Sequence, residues 1–174
     1  MQFGSGGAGT SSHIGCVLLN QTIGVDTTHV PYRGGGPAMA DLFAGRVDYV
    51  CNIASTVGQA VEEKQAKAIA ALTRERSPIL PDLPTAHEQG LTGFDAYTWN
   101  AVFLPKGTPP ALVQKLNARA GDGDGQSGLP RAPPCARPHR RGAGAPDPAY
   151  LQTFVESEID KWAVPIKASG VKED

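Results

Sequence analysis

The residues best suited to chemistry lie together near the start of the chain, in Phe3 to His13, FGSGGAGTSSH. A glycine-rich turn that leaves a strand and enters a helix aims consecutive backbone N–H groups and the positive end of the helix dipole at one point, which suits an anion. Ser5, Gly6, Gly7, Ala8 and Gly9 would supply that turn. Thr10 and Ser11, with Ser12 after them, carry hydroxyls that can cap the helix or donate to a carboxylate or phosphate oxygen. His13 stands beside the loop, just before the helix-like run Ile14 to Leu19.

Other uses of the same residues are open at this point. Gly4, Gly6 and Gly9 fit the dinucleotide fingerprint G-x-G-x-x-G, and Asp26 lies about the right distance on to bind a ribose. Yet Asp26 precedes the next strand-like run, Thr27 to Val30, whereas the fingerprint needs its acid at the far end of that strand. Gly4 to Ser11 also has the spacing of a phosphate loop, but Thr10 occupies the lysine position that grips the terminal phosphates. A plain connecting turn is the remaining alternative. No nucleophile, base and orienting acid assemble, because Ser12 and His13 are adjacent and neighbouring helical side chains diverge. The pattern is that of a binder without a catalytic centre or cofactor.

The elements that must position this loop follow in order. Thr27 to Val30 reads as a short strand, followed by the loop Pro31 to Pro37 and a helix with Met39, Leu42 and Phe43 on one face, ending at Gly45. Val47 to Cys51 reads as a buried strand that delivers Asn52, Ser55 and Thr56 to a third loop before a helix from about Val57 to Lys64. Ala68 to Leu72 and Tyr97 to Leu104 read as further strands, Thr85 to Gln89 as a short helix, and another helix begins near Ala111. Alternating strands and helices argue for an α/β sheet whose ligands gather at the carboxyl ends of the strands. The three loops should therefore face one cleft, with Tyr32 as a wall and with Arg33 either pairing a carboxylate or standing solvated.

With 16 Lys and Arg against 17 Asp and Glu in 174 residues, the charge balance offers no case for nucleic acid or an anionic membrane. No apolar run approaches the roughly 20 residues of a membrane span. The glycine loop follows Met1 without the features of a secretory signal, so the sequence as written is expected to stay in the cytoplasm. Cys16, Cys51 and Cys135 are far apart, without metal or redox spacing, and Cys16 and Cys51 are expected to be small buried hydrophobes.

The segments GSGGAGTSSH, HVPYRGGGPAMADLFAGRVDYVCN, RSPILPDLPTAHEQG and GFDAYTWNAVFLPKGTP resemble, in order, the Bug or TctC family, the periplasmic solute-binding proteins of tripartite tricarboxylate transporters. The resemblance covers Phe3 to Asn117 and resumes from about Pro148. It implies an α/β, type II periplasmic-binding-protein fold that closes on a small carboxylate without chemistry and passes it to membrane subunits. It further implies a truncated protein: mostly the second, ligand-binding lobe in residues 1–98, plus the incomplete C-terminal part of the first lobe in 99–174. Contacts carried over fall on the Gly4 to Ser11 loop with His13 nearby, on Tyr32, Arg33 and Gly34, and around Asn52. The implied location is the periplasm.

Arg119 to Pro148 departs from the family, with six Gly, six Pro, five Arg and five Ala, and is expected to be irregular or disordered. A reading-frame shift accounts for it, since codons exist for Gly121 to Pro134 that spell an amphipathic helix one nucleotide on; sequencing the gene decides this. From Ala149 to Ser169, the spacing of Leu151, Phe154, Val155, Ile159, Trp162 and Ile166 predicts an amphipathic helix that Pro165 kinks or ends, leaving apolar surface exposed.

Overall fold

The computed structural model describes residues 1–99, 101–121 and 148–170. They fall into two compact units, Met1–Thr98 with the residues from Ala163 onward, and Trp99–Trp162. The expected irregular segment and its alternative frame lie outside the described residues, apart from the helical ends at Arg119–Gly121 and Pro148.

The first unit is built on three parallel strands, β1 (Gln2–Ser5), β2 (Thr28–Pro31) and β3 (Tyr49–Val50), in the order β2-β1-β3. The helices α1 (Ser11–Ile23), α2 (Gly35–Phe43) and α3 (Ala54–Glu62) follow them in turn. Side chains alternate across β1 as the pleat requires. Phe3 joins the core with Cys16 and Cys51, whereas a Cβ on Gly4 would meet Val50, Tyr32 and Val47.

α1 forms because both of its ends are satisfied. The Thr10 hydroxyl accepts the His13 N–H at 3.4 Å, and Gly24, left-handed at φ 69°, returns its N–H to the carbonyls of Asn20 and Gln21. Buried Asn20 donates to Thr27 and accepts from the Tyr49 hydroxyl, tying the helix end to the starts of β2 and β3. Both α1 and α3 begin about three residues earlier than periodicity predicts, because polar residues in a first helical turn carry no apolar signal.

Cys16 and Cys51 are not independent hydrophobes. They form a disulfide across 35 residues, with Cα atoms 5.5 Å apart, joining α1 to the chain just beyond β3. Two other expectations also fail. Ala68 to Leu72 contributes only the bridge Ala71↔Thr85, and Tyr97 to Leu104 has no strand among its described residues. Strand propensity yields a strand only where a neighbour offers a ladder. Thr85 to Gln89 is a single turn, closed reciprocally by Thr85 and Glu88: the Thr85 N–H donates to the Glu88 carboxylate and the Glu88 N–H to the Thr85 hydroxyl.

The second unit contains α4 (Pro110–Gly121) and most of α5 (Pro148–Ala168). Its centre is the carboxylate of Glu158, only 6% exposed, which accepts the indole N–H groups of Trp99 at 2.9 Å and Trp162 at 3.1 Å. Phe154 packs edge-on against Trp99. Ile159, predicted on the apolar face, is exposed, and α5 runs past Pro165 to Ala168.

Replacing Cys16 and Cys51 together by alanine should cost roughly 3–5 kcal/mol in urea unfolding, the loop-closure value for a cross-link of this span. Equal stability with and without the bond would show that it does not form.

Candidate ligand site at three helix starts

The three strands release the chain on one side, and their loops touch. The Tyr32 N–H donates to the Ser5 carbonyl and the Gly34 N–H to the Gly6 carbonyl, each at 3.0 Å. A Cβ on Gly6 would lie 3.4 Å from the backbone of Gly34 and Gly35, and one on Gly35 would lie 3.4 Å from the Asn52 amide nitrogen. A Cβ at either position would thus sit in van der Waals contact with the neighbouring loop.

The glycine loop spends most of its own donors internally. Gly6 N–H goes to the Ser12 hydroxyl, Gly7 N–H to the Ser5 hydroxyl, Gly9 N–H to His13 Nδ1 and Thr10 N–H to the Gly7 carbonyl. The expectation that Gly6 to Thr10 present a row of amides to a ligand is corrected accordingly. The hydroxyls of Thr10 and Ser12 also bond each other at 3.0 Å, and Thr10 reaches the Gly7 carbonyl at 2.7 Å. Ala8 and Ser11 remain exposed, and among the described residues no hydrogen bond engages their amides.

What remains open sits one step further on, in the first turns of the helices. Among the described residues, no hydrogen bond takes the amides of Ser11 and Ser12 in α1, Gly35 and Gly36 in α2, or Ala54 and Ser55 in α3. None of the three helices has an acidic residue in its first turn, and α2 and α3 have no side-chain cap. Their dipoles are thus uncompensated at the end where the loops meet. Sequence reasoning placed Tyr32 to Gly36 and Asn52 to Thr56 in loops facing one cleft without singling out the amides of Gly36, Ala54 and Ser55, because a backbone N–H leaves no mark on residue type.

Several predicted contacts are placed differently. His13 is 3% exposed, so its ring lies beneath the loop rather than in the cleft. Ser5 is 1% exposed, with its hydroxyl 2.6 Å from His29 Nε2. The Tyr32 ring packs over Gly4 and its hydroxyl donates to Asp41 at 2.7 Å, so it belongs to the sheet face rather than to a cleft wall. That bond raises the Tyr32 pKa and lowers that of Asp41. Arg33 is exposed and, among the described residues, makes no ion pair. Asn52 accepts the Ile53 N–H at 2.9 Å and holds its amide nitrogen toward Gly35.

Ser5 and His29 form a pair that the sequence did not reveal, with Ser5 Oγ 2.6 Å from His29 Nε2. Ser5 Oγ also contacts the N–H and the carbonyl of Gly7, both at 3.1 Å. The Gly7 carbonyl also accepts the Thr10 N–H and the Thr10 hydroxyl, so the direction of the Ser5–His29 bond follows the His29 tautomer. Asp26, the required ribose acid of the dinucleotide reading, lies exposed ahead of β2 rather than at its end. No group of three or more metal-binding side chains occurs among the described residues.

The sequence profile of the tripartite tricarboxylate transporter family receptor, TctC, matches residues 1–122. The chain belongs to that family. A UPF0065 protein of Pseudomonas sp. strain P51 is 44% identical over 119 residues, covering 68% of this chain and 35% of the relative. Rpa4515 of R. palustris, solved with adipate, is similar at a TM-score of 0.76 and 29% identity over 98% of this chain and 56% of that one. MatC of Rhodopseudomonas palustris, solved with bound malate, is similar at 0.66 and 34% identity over 95% and 56%. The chain thus has the α/β fold of periplasmic binding proteins and spans about a third of the length of the UPF0065 relative.

Burial lowers the pKa of both His13 and His29, and for His29 the neighbouring His13 lowers it further. The folded state therefore binds fewer protons than the unfolded chain once the pH drops below the ordinary histidine value of 6.5, and stability falls with it. Thermal midpoints recorded from about pH 7.5 to about 5 should decline through the lower half of that range; a flat profile there would contradict this packing.

Proposed function

We propose that this chain is the ligand-binding part of a solute-binding protein that captures a small carboxylate and delivers it to the membrane subunits of a tripartite tricarboxylate transporter. The observation that carries this reading is the set of first-turn amides left open on three adjoining helix starts without an acidic side chain. A carboxylate oxygen accepting from such amides gains charge-assisted hydrogen bonds and the favourable end of each dipole, and no proton or bond need move. The dicarboxylates adipate and malate in the two similar structures support the ligand class. The disulfide supports the periplasm, since such bonds persist in oxidising compartments. Among the described residues no helix is long and apolar enough to cross a membrane.

A proline can stand at the first position of a helix, where it deletes one N–H without breaking the helix, and Thr10, at ψ 160°, already has the extended conformation required before it. Calorimetric titration with malate and adipate should show Ser11→Pro weakened roughly tenfold or more relative to Ser11→Ala, the worth of a hydrogen bond to a charged group. NAD should give no heat. Equal affinities for the two variants, or binding of NAD in preference to every acid, would sink the reading.

A further inference from the structure

We propose that His13 is the positioning residue of the carboxylate site: from beneath the glycine loop its Nδ1 holds the Gly9 amide and so fixes the start of α1, where Ser11 and Ser12 offer their N–H groups. This rests on the reading of the site given above. It assigns to His13 a role that contact with the ligand cannot supply, because the side chain is buried.

The geometry is a clasp with two arms. His13 Nδ1 accepts the Gly9 N–H at 3.1 Å, and its ring lies on that of His29 with centroids 3.8 Å apart and planes within 13°. His29 holds Ser5 Oγ, which in turn takes both the N–H and the carbonyl of Gly7. The stacked imidazoles thus grip the loop at Gly7 and at Gly9, while Phe3 supports both rings.

Only the neutral form of His13 fits. With Nδ1 accepting from Gly9, the ring proton is on Nε2; a second proton would set two donors against each other and release Gly9. The groups around the rings offer no compensation. β1 contributes Phe3 and Ser5, and β2 contributes His29 itself; β3 contributes Tyr49, which stacks on Phe3 and gives its hydroxyl to Asn20. The neighbouring cysteines of α1 and of the chain after β3 are joined to each other. Among the described residues, no carboxylate, ammonium or guanidinium bonds either ring. Proton uptake therefore opens the clasp and loosens the donors at the start of α1.

Two substitutions separate this role from simple packing. His13→Asn keeps an acceptor where Nδ1 stands but loses the ring; His13→Phe keeps the stack but loses the acceptor. Hydrogen exchange of the Gly9 amide, followed by NMR on the full chain, should quicken about 3- to 10-fold in His13→Phe and stay near the wild-type rate in His13→Asn, the span expected for one hydrogen bond. Malate affinity should rank the same way, and wild-type Gly9 protection, corrected for intrinsic exchange, should fall as His13 takes its proton. Gly9 protection that survives His13→Phe, or that ignores protonation of His13, overturns the proposal. If His13→Phe does not fold, His13→Asn and the wild-type titration still decide. Absence of malate and adipate binding in the wild type would count against the carboxylate reading, while the exchange measurement would judge the clasp by itself.

Discussion

Two hydrogen bonds that prolong the β1–β2 ladder beyond its last residues hold the rest of the site in place. Tyr32 N–H to Ser5 and Gly34 N–H to Gly6, both 3.0 Å, keep two loops side by side after their strands have ended. Strands in a ladder lie about 4.8 Å apart, so loops that stay in register bring the first residues of the following helices near one another. The closeness shows at Gly6 and Gly35, where a Cβ would lie 3.4 Å from backbone or from an amide nitrogen. Loss of this register would scatter the open amides of α1 and α2 whatever their own helices did.

Donors at this edge are divided between holding and offering. The N–H groups of Gly6, Gly7, Gly9 and Thr10 are spent on Ser12, Ser5, His13 and Gly7, which makes the loop rigid and removes it as a direct anion cradle. Among the described residues, no hydrogen bond takes the N–H groups of Ser11, Ser12, Gly35 and Gly36. A loop with all its amides free would have to be ordered at the moment of binding, at a cost of about 1–2 kcal/mol per residue. Here buried Ser5 and His13 hold the loop in the folded chain, so under the proposed function that ordering would precede binding.

Local chemistry made part of this legible in the sequence. The glycine and hydroxyl run of Gly4 to Ser12 announced a strand-to-helix turn, and the repeated strand, loop and helix units announced parallel strands with their loops on one side. Hidden were the partners that only the fold brings together. Nothing local to Cys16 or Cys51 marks a bond across 35 residues, and nothing in Tyr32 foretells that Asp41 will take its hydroxyl. His29 was overlooked because its importance comes from lying on His13, a contact created when β2 pairs with β1. Ala68 to Leu72 erred in the opposite direction: its composition favours a strand, but among the described residues its pairing stops at one bridge.

The exposure of the donors decides how such a site can select. A hydrated amide gives up a water for each carboxylate oxygen it gains, so a hydrogen bond in open solvent adds little net affinity. Its worth rises as water is excluded and the local dielectric falls. Under the proposed function, the charged end of an acid would be recognised by what the helix starts provide, and recognition of the remainder would pass to whatever covers those starts. Adipate and malate differ in chain length and in a hydroxyl, yet both carry two carboxylates, and the two proteins holding them resemble this chain over nearly all of its length. Amides at helix starts cannot tell such acids apart, because a backbone N–H reads only the oxygen in front of it. In such a site, discrimination would fall to side chains that meet the rest of the ligand, and the described loops and helix starts carry polar ones in exposed Arg33 and Ser55 and half-buried Asn52.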